Sequence, residues 1–206
     1  VLVAWHAAYY GEDFTSDPTK YLITAGNGAI SKIYGIQTYD IGLFVNNKMP
    51  GNYSANEAVV ENGDIVTVYL YGDTQKYKDL YLYFEGIPGT VQAGERINLT
   101  LYGIHPIYSM GENAEQPSVQ KGYMVAALDA AGRQAATAVT NENGQATLQI
   151  NQAGTYQITV VETPKDSQET AFILPKDMVT VIGEENRPSE HVHHYGEWRT
   201  VSKATV

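Results

Sequence analysis

Three stretches in the second half of the chain alternate apolar and polar positions. Ile97, Leu99 and Leu101 are separated by Asn98 and Thr100; Ala146, Leu148 and Ile150 by Thr147 and Gln149; Tyr156, Ile158 and Val160 by Gln157 and Thr159. A period of two puts each apolar set on one face of a strand. Residues 123–128 and 178–182 are apolar runs of strand length. The turn signals Asp129-Ala-Ala-Gly132, Asn141-Glu-Asn-Gly144 and Gly154 fall between the runs. Short strands with turn residues about every ten positions predict a β-sandwich over residues 89–182.

The first half has a different rhythm. Residues 2–10, LVAWHAAYY, permit either a short helix or a buried strand. Thr15-Ser16-Asp17 before Pro18 reads as a helix N-terminus leading through Lys20 toward Leu22. From Tyr21 onward strand signals take over. A turn at Gly26-Asn27-Gly28 precedes a strand over 29–34. Residues 41–45 form another, closed by the pair Asn46-Asn47. Residues 57–60 lead into the turn Asn62-Gly63-Asp64, and residues 65–71 are the clearest strand of this half. An aromatic segment, Tyr77 and Leu80 to Phe84, runs up to Gly86-Ile-Pro-Gly89, which reads as a domain boundary. The expected fold class is therefore an α+β first domain over 1–88 and an all-β sandwich over 89–182. A linker and tail over 183–206 are too short for a core of their own.

Composition narrows the functional classes. Hydrophobic residues make up 43% and charged residues 17% of 206, which is a folded composition. Sixteen tyrosines against four phenylalanines suit sheets with a wet face. A net charge of −10 argues against nucleic acid or an anionic membrane as partner. The absence of cysteine excludes disulfides, a cysteine nucleophile and thiolate metal sites. No apolar run is long enough to span a bilayer. The chain begins at Val1 without a signal peptide, so it is expected to be a piece of a longer protein whose targeting signals lie elsewhere.

Three segments resemble known families. Gly28-x-Ile30-x-x-Ile33-x-Gly35-Ile36, then Phe44-Val45-Asn46-Asn47-Lys48, then Gly63-Asp64-x-Val66 resembles the C-terminal β-domain of transcobalamin and its bacterial relatives. That likeness implies a small β-grasp-like sheet over residues 1–88. Asn46-Asn47 stands where the family usually carries Asn-Gly, and asparagine also tolerates positive φ. Residues 139–148 followed by Gly154-Thr155-Tyr156 resemble the end of bacterial immunoglobulin-like repeats. There, the glycine turn joins two strands and the tyrosine packs at a sheet end with its hydroxyl in water. His191-x-His193-His194-Tyr195-Gly196-Glu197-Trp198 is similar to the start of a short repeat of Firmicutes surface proteins, of which only the first part is present. Together these imply a non-catalytic structural or adhesive module of a secreted or cell-wall-attached protein of a Gram-positive bacterium. Its partner would be a host or bacterial surface protein or a glycan, and no cofactor is expected.

Candidate chemistry is sparse. His191, His193 and His194 are the sharpest metal-ligating signal, but in an extended strand only 191 and 193 share a face, and a closed zinc site needs another ligand. His6 and His105 stand alone in sequence, without a nucleophile elbow or a Ser-His-Asp order. Gly26-Asn27-Gly28 lacks the Lys-Ser/Thr of a phosphate loop. No carboxylate pair is fixed by spacing, so a glycosidase dyad has no support. Tyr69, Tyr71, Tyr77, Tyr81 and Tyr83 would line a stacking platform for a glycan or corrinoid, or else fill sheet faces and contacts between domains. Lys121 is a candidate for a Lys–Asn isopeptide crosslink. An enzyme with a site unreadable from sequence is the remaining alternative.

Overall fold

Residues 2–10 resolve the helix-or-strand choice as helix α1 (Leu2–Tyr10), which Gly11 ends at φ 59°. In the computed structural model, residues 1–24, 28–49, 55, 58–109, 114–169 and 171–183 are described. Helix α2 (Glu12–Ser16) follows, then a single 3-10 turn, Pro18–Lys20, capped by the Asp17 carboxylate accepting from the Thr19 N–H. Strands β1 (Ile23–Thr24), β2 (Ile30–Ile33) and β3 (Ile36–Gln37) form a three-stranded antiparallel sheet. Phe14, Leu22, Ile30 and Ile33 bury themselves between the helices and this sheet.

His6 ties helix to hairpin. It is fully buried. Its Nδ1 lies 2.8 Å from the Leu2 carbonyl, and its Nε2 accepts the Tyr34 N–H at 3.3 Å. A carbonyl only accepts and an amide N–H only donates, so the proton sits on Nδ1 and the ring is neutral. The bond reaches into the β2–β3 turn, where Tyr34 and Gly35 both take positive φ (53° and 82°), as a tight two-residue hairpin turn requires. The imidazole also stacks on the Tyr34 ring at 5.2 Å and 13°.

Strands β4 (Ile41–Val45) and β5 (Val66–Leu70) pair antiparallel. Asn46 and Asn47 both adopt positive φ, 50° and 59°, so two asparagines make this turn without a glycine. The Asn46 side chain is bonded on both sides: its Nδ2 donates to Asp64 at 2.6 Å and its Oδ1 accepts the Ile65 N–H at 2.9 Å. The Asn-Asn and Gly63-Asp64 turns are thereby stitched together. Across the strand pair, Gly42 faces Tyr69, and the Tyr69 ring fills the space a side chain at 42 would occupy: an added Cβ would stand 1.9 Å from it.

The remaining strands form two facing sheets. They are β6 (Leu80–Glu85), β7 (Thr90–Gln92), β8 (Arg96–Ile104), β9 (Ser118–Val119), β10 (Met124–Leu128), β11 (Gln134–Val139), β12 (Gln145–Gln149), β13 (Gly154–Glu162), β14 (Phe172–Ile173) and β15 (Asp177–Ile182). One sheet has the order β12-β8-β6-β14, with β9 beside β8; the other has the order β11-β10-β13-β15-β7. The alternating residues read from sequence all point inward: Ile97, Leu99, Leu101, Ala146, Leu148, Ile150, Tyr156, Ile158 and Val160 share one core. The Tyr156 hydroxyl, expected in water at a sheet end, donates to the Gln152 carbonyl at 2.9 Å. No helix among the described residues is long and apolar enough to cross a membrane.

The protein is thus predominantly β, as expected. The expected boundary at Gly86–Gly89 does not separate the sheets, because β6 lies before it and pairs antiparallel with β8 beyond it. Strand β6 is buried on both faces. Leu80, Leu82 and Phe84 enter the core between the sheets, and Tyr81 and Tyr83 enter a second cluster with Phe44 and Tyr69 of the N-terminal part.

The fit of Tyr69 over Gly42 yields a prediction. Gly42→Ala drives a methyl into a ring that is itself packed on Phe44, and overpacking of this kind costs about 1–3 kcal/mol. The urea midpoint is expected to fall accordingly. Gly42→Ala combined with Tyr69→Ala should cost less than the sum of the two single changes, since the clash goes with the ring.

Candidate functional site

A cleft of about 700 Å³ opens where β5 of the N-terminal part meets β6, β14 and the segment leading into β15. Its floor is the aromatic cluster that joins the two parts. Phe44 and Tyr81 stack face to face at 4.2 Å and 8°, and Tyr69 and Tyr83 flank them with ring centroids about 6 Å from Tyr81. Tyr81 is 3% exposed, yet its hydroxyl donates to Asn47 Oδ1 at 2.8 Å and lies 3.5 Å from the Thr67 hydroxyl. The Asn46-Asn47 turn therefore latches β4 onto β6 through a polar bond inside an apolar contact. Burial holds the Tyr81 phenol above its usual range, and burial assisted by the Glu85 charge pushes Tyr83 up to about 12. Both phenols stay protonated and able to donate at neutral pH.

The five tyrosines singled out from sequence come together, but as packing rather than as an open platform. Tyr69, Tyr81 and Tyr83 are each buried and line the cleft floor. Tyr71 packs edge-on to Tyr69, and the two hydroxyls are 3.3 Å apart. Tyr77 stands edge-on to Tyr71 and donates to Asp40 at 2.7 Å, bracing the link between the two parts. The same link is held by Asp79, 1% exposed, which accepts the Gly72 and Asp73 N–H groups at 2.6 and 2.8 Å.

The cleft walls carry residues that sequence reading did not single out. Trp5 and Tyr34 come from the helix and the hairpin turn; Asn47 and Thr67 come from the β4 turn and β5; Lys176 and Asp177 come from the approach to β15. Only Asn47 stood inside a recognised motif. Burial holds the Asp177 carboxyl above the usual carboxylate range. Among the described residues no lysine, arginine or histidine pairs with it.

His105, solitary in sequence, sits between two carboxylates. Its Nδ1 is 3.1 Å from both Glu115 oxygens, and its Nε2 is 3.1 Å from Glu169. This clamp joins the loop after β8 to the loop after β13. Both ring nitrogens are occupied, so neither is free to take a proton from a nucleophile. The two carboxylates lie on opposite ring edges and do not converge on a point. Among the described residues no group of three or more histidines and carboxylates is placed to hold a metal ion. Lys121 pairs with Glu142 at 2.6 Å on the surface. His191, His193 and His194 lie outside the described residues.

No known protein family matches the chain, and no curated protein matches it. Among solved structures it is similar to the Arg-specific cysteine proteinase gingipain R, at 15% identity and a TM-score of 0.31, over 50% of this chain and 18% of that one. That likeness is too slight to bear on fold or activity.

Two predictions arise from this geometry. Tyr81→Phe and Asn47→Ala each remove one end of the same part-buried bond and should each cost about 1 kcal/mol in chemical denaturation. The double variant should cost less than their sum, and strict additivity would mean that the latch contributes nothing. The second concerns pH. Burial pushes the His105 pKa down, but the hydrogen bonds and charges of Glu115 and Glu169 outweigh it, so the folded value lies above the ordinary one of about 6.5. A raised folded pKa gives stability that is complete below the unfolded value and is lost as pH rises through the folded one. The melting temperature of the native protein minus that of His105→Gln should therefore shrink on going from pH 6 to pH 8, in differential scanning calorimetry.

Proposed function

We propose that this chain is a non-catalytic structural and adhesive module of a secreted or cell-surface bacterial protein, in which two domains are held in fixed relative orientation. The observation that carries the reading is the shared aromatic cluster: Phe44 and Tyr69 from one side and Tyr81, Tyr83, Ile104 and Ile173 from the other are all buried in it. Such a joint suits a spacer that transmits position along a surface, because an apolar interface restricts the motion that a flexible linker permits.

An immunoglobulin-like reading of residues 80–183 draws support from strand order. The β6–β8–β12 and β11–β10–β13–β15 neighbours follow the two sheets of that fold, with the leading strand crossing from one sheet to the other and β7 running parallel to β15. The Tyr156 bond to the Gln152 carbonyl, at the corner between β12 and β13, has the form of the tyrosine corner of such domains. For the N-terminal part, the stitched Asn46-Asn47 and Gly63-Asp64 turns give physical content to the transcobalamin C-terminal-like motif and its β-grasp character. On this reading the boundary between domains falls in the Asp79-braced link at 72–79 rather than at Gly86–Gly89.

Surface placement is testable in the source bacterium. Antibodies raised against residues 80–183 are expected to label intact cells, and external protease should remove the signal. Labelling that appears only after permeabilisation would overturn the proposal.

A further inference from the structure

We infer that the cleft between the two parts binds a neutral saccharide, with Trp5 as the stacking surface and Asp177 as the principal hydroxyl acceptor. The inference adds a ligand to the adhesive reading above, and its failure would leave the surface placement untouched, since antibody labelling does not depend on the cleft.

A pyranose presents a face of C–H groups ringed by hydroxyls that both donate and accept. Its site therefore needs a fixed aromatic face beside polar groups of both kinds, in a concavity of a few hundred cubic ångströms. Trp5 supplies the ring. It remains 44% exposed, while stacking on Tyr9 at 4.9 Å and 9° and an edge contact with Tyr34 at 5.1 Å hold it in place. A ring already immobilised loses little conformational entropy on binding. Asp177 supplies acceptors: it lines the cleft, is partly desolvated, and has no cationic partner among the described residues. A hydroxyl donating to it makes a charge-assisted bond without opening an existing ion pair. Lys176 adds donors, the Thr67 hydroxyl both donates and accepts, and the Asn47 amide supplies donors besides the oxygen that Tyr81 occupies.

Charge selects against the other classes. Lys176 and Asp177 are the charged residues of the lining and cancel. An organic cation attracted by Asp177 meets Lys176, and an anion attracted by Lys176 meets Asp177 and a chain of net charge −10. A neutral ligand with many hydroxyls uses both groups at once.

The test begins with the full chain, fluorescently labelled, on a printed array of neutral and charged glycans. Hits are then titrated by tryptophan fluorescence in a Trp198→Phe background, where Trp5 is the sole remaining tryptophan. The expected result is retention of neutral glycans, a change in Trp5 emission on titration, and at least about a tenfold loss of affinity in Asp177→Asn. Asp177→Asn keeps the side-chain shape, and an unchanged melting temperature would show that the loss is not unfolding. Trp5→Phe, compared with the unsubstituted chain by retention on the array, should weaken binding while preserving an aromatic surface. No retention of any neutral glycan would overturn the inference. So would hits unaffected by both substitutions, or retention confined to charged glycans and abolished by added salt.

Discussion

From Leu80 to Phe84 the chain is a strand without a solvent face, and the joining of the N-terminal part to the two facing sheets follows from that. Successive side chains of a strand point to opposite sides. Here Leu80, Leu82 and Phe84 complete the core between the two facing sheets, while Tyr81 and Tyr83 meet Phe44 and Tyr69 on the other side. Neither cluster is closed without this strand. A change that shifts β6 by one residue would exchange the tyrosines with the aliphatic residues and place hydroxyls in the drier core. The Tyr81 bond to Asn47 helps to fix the register, because a buried hydroxyl finds its acceptor in only one alignment.

The choice of tyrosine over phenylalanine at these positions has a structural reason. The junction between the parts is apolar in its middle and polar at its edge. A ring with a terminal hydroxyl satisfies both, filling the contact with its body and bonding Asn47 or a neighbouring tyrosine with its tip. The same economy recurs at Tyr77, which reaches Asp40, and at Tyr156, which reaches its own corner. The bias toward tyrosine therefore reports buried junctions as well as wet sheet faces.

What the sequence made legible divides along physical lines. Strands with one wet face were readable, because alternation at 97–101 and 146–150 is the direct signature of half-burial; at 156–160 the same alternation named the inward set, although Thr159 on the other face is buried as well. Turn residues were equally plain at Asn46-Asn47 and at Gly132 and Gly144, where positive φ demands them. Strand β6 misled the boundary because a two-sided strand has no alternation to show which core it serves. Strand β11 escaped notice because its residues are small or polar and none is fully buried, and β14, two residues long, is defined by its parallel pairing with β6 rather than by its own pattern. The cleft was only half visible. The tyrosines formed a recognisable run, but Trp5, Asn47 and Asp177 come from three distant segments. The Glu115–His105–Glu169 clamp is likewise a product of loop placement that no spacing announces.

The crossing of the leading strand between sheets has a mechanical side. Strand β7 runs parallel to β15, with Thr90 to Gln92 alongside Thr180 to Ile182, and the Gly89 carbonyl accepts the Thr180 N–H while the Ala93 N–H donates to the Ile182 carbonyl. Tension applied through the chain before β7 and after β15 pulls these two parallel strands in opposite directions along their length. Their hydrogen bonds are then loaded together, in shear, instead of opening one after another like a zipper.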